Sequence, residues 1–279
     1  MSSLLTGKVL AITRKDIFAK EFLELVNLEG GTVLSLPTID IVPADTKVVE
    51  QFIDKINKLK HDYCVFLSSQ AVDILFELAM KINKTVQVIS ALNSRTIVAI
   101  GPATMQNLRN HNIIVKLIPK KYSSEGLIDL FSSISCKGKR IIIPRSAAAD
   151  EFIEKNLSSL GLVVDELFLY SIRTSGISSV WNDFCLLLEQ NKIDALIFTS
   201  RSTVLSFFEI MQKISGNVNL LLKNIEFVIA IGPHTAQALR ERGVTSFEPK
   251  EHTLISTFSL VKMLLSGNCA TDSLKQSWN

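Results

Sequence analysis

Short apolar runs alternate along this chain with longer stretches whose apolar residues recur three and four positions apart. That alternation of periods predicts buried strands connected by amphipathic helices, the grammar of a parallel sheet with helices on both faces. Residues 9–13 form one continuous apolar run, as a strand buried on both sides requires. Asp16 is positioned to cap the following helix, whose Phe18, Phe22, Leu25 and Val26 share a face. Gly30 or Gly31 then supplies a left-handed helix end before a strand at 32–36. The same grammar predicts a strand at 140–143, a helix at 151–160, a turn at Gly161 and a strand at 162–168.

The resemblance between these two stretches extends through the chain. Gly7-Lys8-Val9-Leu10-Ala11-Ile12-Thr13-Arg14 returns 131 positions later as Gly138-Lys139-Arg140-Ile141-Ile142-Ile143-Pro144-Arg145. The glycine turn at Gly30 returns at Gly161, again 131 positions on. Asp62-Tyr63-Cys64-Val65-Phe66-Leu67-Ser68-Ser69 returns at an offset of 132 as Asp194-Ala195-Leu196-Ile197-Phe198-Thr199-Ser200-Arg201. Val98-Ala99-Ile100-Gly101-Pro102-Ala103-Thr104 returns at 131 as Ile229-Ala230-Ile231-Gly232-Pro233-His234-Thr235. An α/β unit is written twice, and a functional site between the two halves is the natural expectation.

Two extended segments break the rhythm, at 37–43 and 168–174, each in the middle of a copy. Pro37 and Pro43 keep the first out of a central strand position. The junction of the copies, Ser135-Cys136-Lys137-Gly138, is a tight turn rather than a linker. We therefore expect domains cut out of phase with the duplication. One would comprise 1–37 with 173–266 and the other 41–169, with the extended segments running side by side between them. Two sequential domains meeting near residue 135 satisfy the same connection rules and remain the alternative. The polar, aperiodic tail 267–279 is expected to be disordered.

Composition narrows the function classes. The chain has 279 residues, is 47% hydrophobic and has a mean hydropathy of +0.29, enough for two buried cores. Lys and Arg number 30 against 27 Asp and Glu, a net charge of +3, which gives no argument for nucleic acid or an anionic membrane. Cys64, Cys136, Cys185 and Cys269 have neither CxxC nor Cys/His ligand spacing and read as reduced thiols. The N-terminus lacks a signal-peptide pattern, and no apolar stretch approaches the ~20 residues of a membrane span. A soluble cytoplasmic protein is the expectation.

Ligands of open parallel sheets bind beyond the carboxyl ends of the strands, near helix N-termini. Four turns stand there. Ser68-Ser69 and Ser200-Arg201-Ser202 place serine at a helix cap, while Gly101-Pro102 and Gly232-Pro233 open helices that carry Thr104 and Thr235 in the first turn. Glycine permits close approach to the backbone, and free first-turn N–H groups favour anions, each turn contributing about 1 kcal/mol. Arg14 and Arg145 end the two first strands at matched positions, with Lys120, Lys121 and Lys250 at later strand ends. Tyr170 and His234 have no counterpart, their matches being Ile39 and Ala103. No GxGxxG, GxxxxGK[ST] or GxSxG pattern occurs, and His61, His111, His234 and His252 are not spaced as metal ligands.

Taken in order and spacing, Thr13-Arg14, Pro37…Pro43, Phe66-Leu67-Ser68, Ile100-Gly101-Pro102-Ala103-Thr104, Tyr170, Phe198-Thr199-Ser200 and Ile231-Gly232-Pro233-His234-Thr235-Ala236 resemble the uroporphyrinogen-III synthase family. The resemblance runs from about residue 7 to 265. It implies two similar α/β domains, each a parallel sheet flanked by helices, joined by a two-stranded extended linker. It also implies cyclisation of hydroxymethylbilane to uroporphyrinogen III with loss of water, without metal or cofactor. By the same resemblance Tyr170 is the catalytic candidate. Arg14, Ser68, Ser69, Gly101, Thr104, Arg145, Ser200, Ser202, Gly232, His234 and Thr235 are substrate-binding candidates. Leu67 and Met105 depart from the family's pattern, which leaves the first copy's contribution less defined than the second's. A monomer is expected, with transient contact to hydroxymethylbilane synthase. The alternative from another class is a two-lobed sensor that closes on an anionic metabolite.

Overall fold

A computed structural model of the chain describes residues 3–216 and 218–266; the expected disorder at 267–279, and Cys269, lie outside the described residues. The chain opens with β1 (Val9–Ile12), α1 (Asp16–Leu28), β2 (Thr32–Ser35) and β3 (Ile39–Pro43). It continues with α2 (Lys47–Leu59), β4 (Tyr63–Phe66), α3 (Ser69–Lys81), α4 (Thr85–Asn93), β5 (Thr96–Ala99), α5 (Pro102–Asn110), β6 (Val115–Leu117) and α6 (Ser124–Ser132). The second copy supplies β7 (Arg140–Ser146), α7 (Phe152–Ser159), β8 (Val163–Thr174), α8 (Ser179–Glu189) and β9 (Ala195–Phe198). It ends with α9 (Arg201–Ser215), α10 (Val218–Leu222), β10 (Phe227–Ala230), α11 (Pro233–Arg240) and α12 (Leu254–Leu265).

These elements form two compact units, one of residues up to Asp40 and from Arg173 onward, the other Ile41–Ile172. The chain passes between them inside β3 and inside β8. In the first unit the strand order is β10-β9-β1-β2, all parallel, with Leu10 opposite Ala195 and Val9 opposite Thr32. In the second the order is β3-β8-β7-β4-β5-β6, parallel from β8 to β6. Strands of the two copies are thus interleaved, β1 of the first beside β9 of the second, and β7 of the second beside β4 of the first. The proline-bounded β3 takes an edge, where a residue without an N–H leaves no ladder bond unmade.

Side-chain alternation along the strands divides each unit's core into two layers. In the Ile41–Ile172 unit, Cys64, Phe66, Ile97, Ala99 and Ile142 face α2–α5, while Val65, Val98, Ile141 and Ile143 face α6 and α7. In the other unit, Ala11, Leu196, Phe198, Val228 and Ala230 face α8–α11, while Leu10, Ile12, Ala195 and Ile197 face α1 and α12. Phe207 on α9 sits among the rings of Trp181, Phe184, Phe198 and Phe208 at centroid separations of 5.1–5.9 Å, mostly edge to face.

Three local expectations are corrected. Asp16 does not cap α1; Lys15 is the cap residue and Asp16 begins the helix, with no side-chain bond to the first turn. The helix expected at 151–160 is shorter, Phe152–Ser159. The strand expected at 162–168 and the extended segment after it are one strand, β8, because its partners β7 and β3 give it hydrogen-bonding neighbours along its length. Gly30 and Gly161 do hold the left-handed helix ends, with φ of 79° and 86°.

Candidate active site at the strand ends

In the Ile41–Ile172 unit, adjacent parallel strands bring six of the candidate residues to one edge of the sheet. Ser68 follows β4 and caps α3, its hydroxyl accepting from the Ala71 N–H at 3.2 Å; Ser69 is the first residue of that helix. Gly101 follows β5 and is the cap residue of α5, with Pro102 at the first helical position and Thr104 in the first turn. Arg145 lies near the end of β7, and Tyr170 is paired with the next residue, Ser146, in β8. Tyr170 is only 8% exposed. Burial pushes its phenol up from the ordinary value, while a hydrogen bond with Ser68 and the charge of Arg145 act in the opposite direction. The phenol is therefore neutral near pH 7 and can donate a hydrogen bond.

The other unit repeats the arrangement. Ser200 caps α9 in a capping box, its hydroxyl accepting from the Thr203 N–H at 3.2 Å while the Thr203 hydroxyl accepts from the Ser200 N–H at 3.1 Å. Thr13 at the end of β1 ties this turn to its neighbour strand: its hydroxyl reaches the Ile197 carbonyl and the Thr203 hydroxyl, both at 3.1 Å. Ser202 is half-buried in the first turn. Gly232 caps α11, His234 is exposed beside it, and Thr235 lies in the first turn. Thr104 and Thr235 are 4% and 3% exposed, and neither hydroxyl has a partner among the described residues. Neither oxygen is among the fully buried unpartnered atoms, so each hydroxyl is reached by solvent at a helix N-terminus, where first-turn N–H groups favour an anion.

The matched arginines are not equivalent. Arg145, 7% exposed, pairs through Nη1 with Glu166 and donates through Nη2 to the Asp150 carbonyl at 3.1 Å; its Nε is buried without a partner. The strand register explains this pair, since Glu166 stands opposite Ile143, two residues before the arginine. In the first copy the residue opposite Ile12 is Ser35, whose buried hydroxyl has no partner among the described residues. Arg14 is thereby left without a carboxylate among the described residues, and its partial burial lowers its pKa from the ordinary value. One copy pairs its strand-end cation with a carboxylate; the other leaves it without one among the described residues.

The two turn glycines have a different role from the one expected. Their φ values, −170° and −175°, are extended backbone that any residue adopts. A methyl group on Gly101 would lie 3.2 Å from Cβ and 3.3 Å from Cγ of Tyr122, and one on Gly232 would lie 3.0 Å from Cγ of His252. The space that glycine leaves is filled by a ring of the chain itself rather than kept for a ligand's approach.

A sequence model of a known family, described as "Uroporphyrinogen-III synthase HemD", matches residues 20–259, most of the chain. The chain belongs to the uroporphyrinogen-III synthase family. A relative in Methanothermobacter thermautotrophicus is 27% identical over 248 residues, 88% of this chain and 94% of that protein. One named uroporphyrinogen-III synthase in Synechococcus elongatus is 25% identical over 254 residues, 90% of this chain and 92% of its own. Among solved structures, a mutant uroporphyrinogen III synthase of Thermus thermophilus superposes with a TM-score of 0.61 at 19% identity, covering 91% of this chain and 98% of that one. The enzyme of Helicobacter pylori gives 0.55 at 18% identity, over 84% and 93% of the two chains. These likenesses show the same α/β fold and give no support to the sensor reading.

Within this uroporphyrinogen-III synthase fold, sequence reasoning did not anticipate that Tyr122 and His252 lie against the two turn glycines. The signal was present: Pro119-Lys120-Lys121-Tyr122-Ser123 recurs 130 positions later as Pro249-Lys250-Glu251-His252-Thr253. The two segments share only proline, lysine, an aromatic ring and a hydroxyl, too little identity to stand out from the chain. No helix of the described residues is long and apolar enough to cross a membrane.

Proposed function

We propose that this chain is a hydro-lyase that cyclises hydroxymethylbilane to uroporphyrinogen III, inverting the last pyrrole ring. The observation that carries the reading is Tyr170: a buried, neutral phenol among Ser68 and Arg145 at the strand ends of a member of this family. The hydroxymethyl C–O bond breaks as the pyrrole nitrogen supplies electrons, and the departing oxygen needs one proton to leave as water. Tyr170 donates the hydrogen bond that assists this departure. The azafulvene carbon is then attacked by a substituted ring carbon, giving a spirocyclic intermediate. Rearrangement and loss of one ring proton restore aromaticity, so that the net change is loss of water alone.

Eight carboxylates on the substrate call for many donors and few acceptors. The hydroxyls of Thr104 and Thr235 and the guanidinium of Arg14, none with a partner among the described residues, and the first-turn N–H groups after Ser68, Gly101, Ser200 and Gly232 match that demand. Ser69, Ser202, His234 and Arg145 complete the proposed binding set, Arg145 acting by holding the charge around Tyr170. The azafulvene forms readily, so holding the folded substrate is the larger part of catalysis.

The test is the isomer ratio formed from hydroxymethylbilane. The wild-type protein is expected to yield isomer III, and Tyr170→Phe to lower kcat by about 10-fold to 100-fold with the fold intact. Isomer I alone from the wild type would refute the reading; full activity in Tyr170→Phe would remove Tyr170 from the chemical step. A cytoplasmic monomer with transient contact to hydroxymethylbilane synthase belongs to the same proposal, checked by fractionation, sedimentation and co-sedimentation with that enzyme.

A further inference from the structure

We propose that the rings of Tyr122 and His252 are positioning residues that stack on pyrrole rings of the substrate, one at each Gly-Pro turn. The inference rests on the synthase reading above and extends it to two side chains outside the strand-end turns. Each ring is seated in a similar way: the base of the ring lies against the glycine that caps a helix, Tyr122 at Gly101 before α5 and His252 at Gly232 before α11. The next residue caps another helix. Ser123 accepts from the Gly126 N–H at 3.2 Å at the start of α6, and Thr253 accepts from the Ser256 N–H at 3.1 Å at the start of α12. Each ring therefore sits where two helix N-termini meet.

Such a place suits one kind of ligand group, an aromatic ring carrying carboxylates. The two N-termini and the lysines at 120, 121 and 250 favour the acid groups, and the aromatic side chain offers a face to the ring between them. Thr104 and Thr235, in the first turns of α5 and α11, are 4% and 3% exposed, and their solvent-reached hydroxyls have no partner among the described residues, a separate indication that each place can take an acceptor. Tyr122 is 63% exposed although it is a large ring fixed against backbone, and His252 is exposed as well. The glycines are conformationally unnecessary, so their absent side chains serve to seat these rings.

The experiment compares steady-state kinetics on hydroxymethylbilane, with isomer analysis, for the wild type and for Tyr122→Leu, Tyr122→Phe and His252→Leu. Leucine keeps apolar packing on the glycine and removes the aromatic face. Each Leu variant is expected to raise KM about fivefold to tenfold, with kcat changed less than about twofold and the melting temperature held. Tyr122→Phe is expected to restore the wild-type KM. Unchanged KM in both Leu variants beside a wild type that makes isomer III would overturn this inference alone. Tyr122→Phe as weak as Tyr122→Leu would overturn the stacking argument, because the phenol rather than the ring would then be the contact. A wild type that makes no isomer III would overturn the synthase reading, and this inference with it.

Discussion

Replacing Gly126 by alanine sets two effects of known size against each other. Gly126 is the third residue of α6 and is buried. By helix propensity alone, alanine there should stabilise the protein by about 1 kcal/mol. The packing opposes this. A methyl group on Gly126 would fall on the carbonyl oxygen of Lys121, well inside van der Waals contact, with the Lys121 carbonyl carbon at 2.8 Å and Cβ at 2.9 Å. The obstacle is backbone, so no side-chain rotation relieves it; the 119–123 segment must shift by about 1 Å to reach normal contact. Overpacking of this kind costs about 1–3 kcal/mol, and a shift that pulls Ser123 from its capping bond costs about 1 kcal/mol more. The net expectation is a loss of about 1–3 kcal/mol, a fall of roughly 5–10 °C in the melting of the Ile41–Ile172 unit. The same shift lifts Tyr122 from Gly101, so KM should rise as well. Urea and thermal unfolding provide the measurement, with Gly176→Ala as control; Gly176 has nothing within 4 Å of an added methyl and no left-handed backbone. An unchanged or raised midpoint in Gly126→Ala would refute the steric argument.

Three further outcomes are expected. Phe207→Ala, which empties the centre of the aromatic cluster on α9, should cost about 3–5 kcal/mol in denaturant unfolding; a loss under about 1 kcal/mol would contradict that packing. Arg14→Met should weaken substrate binding while leaving stability equal or higher, because it removes a desolvated charge that has no partner among the described residues; a clear loss of stability would reveal a structural role. His61 is fully buried beside Asp165 at 2.8 Å, and its pKa is lowered, chiefly by desolvation. Its neutral form is the one the fold favours, so its contribution is complete above the unfolded value of 6.5 and is lost as pH falls below it towards the folded pKa. The melting temperature should drop over that window in the wild type and less steeply in His61→Gln; equal slopes would rule His61 out as the cause.

Much of the candidate site's framework was visible in local pattern. A strand that ends at serine or at Gly-Pro announces a helix start, and Ser68, Ser200, Gly101 and Gly232 are all cap residues. The α1 cap was misread because Asp16 has the right side chain one position too late, and capping depends on where the backbone leaves extended geometry. The seating of Tyr122 and His252 was not legible because it comes from a contact some twenty residues away in sequence, with glycines whose own conformation demands nothing.

The sequence by itself determined the alternation of strands and helices, the duplication, the edge position of the proline-bounded segment and the resemblance to the synthase family. These are properties of local periodicity and of motif order, and each is written in residues a few positions apart. Only the tertiary structure decided that β1 pairs with β9 and β7 with β4, interleaving the two copies. Apolar strands of nearly identical composition can pair in either arrangement, and the choice is made by long-range burial that no local window contains. The same holds for the two arginines. Arg14 and Arg145 end matched strands, and they differ because the register sets Glu166 opposite Ile143 in one copy and Ser35 opposite Ile12 in the other.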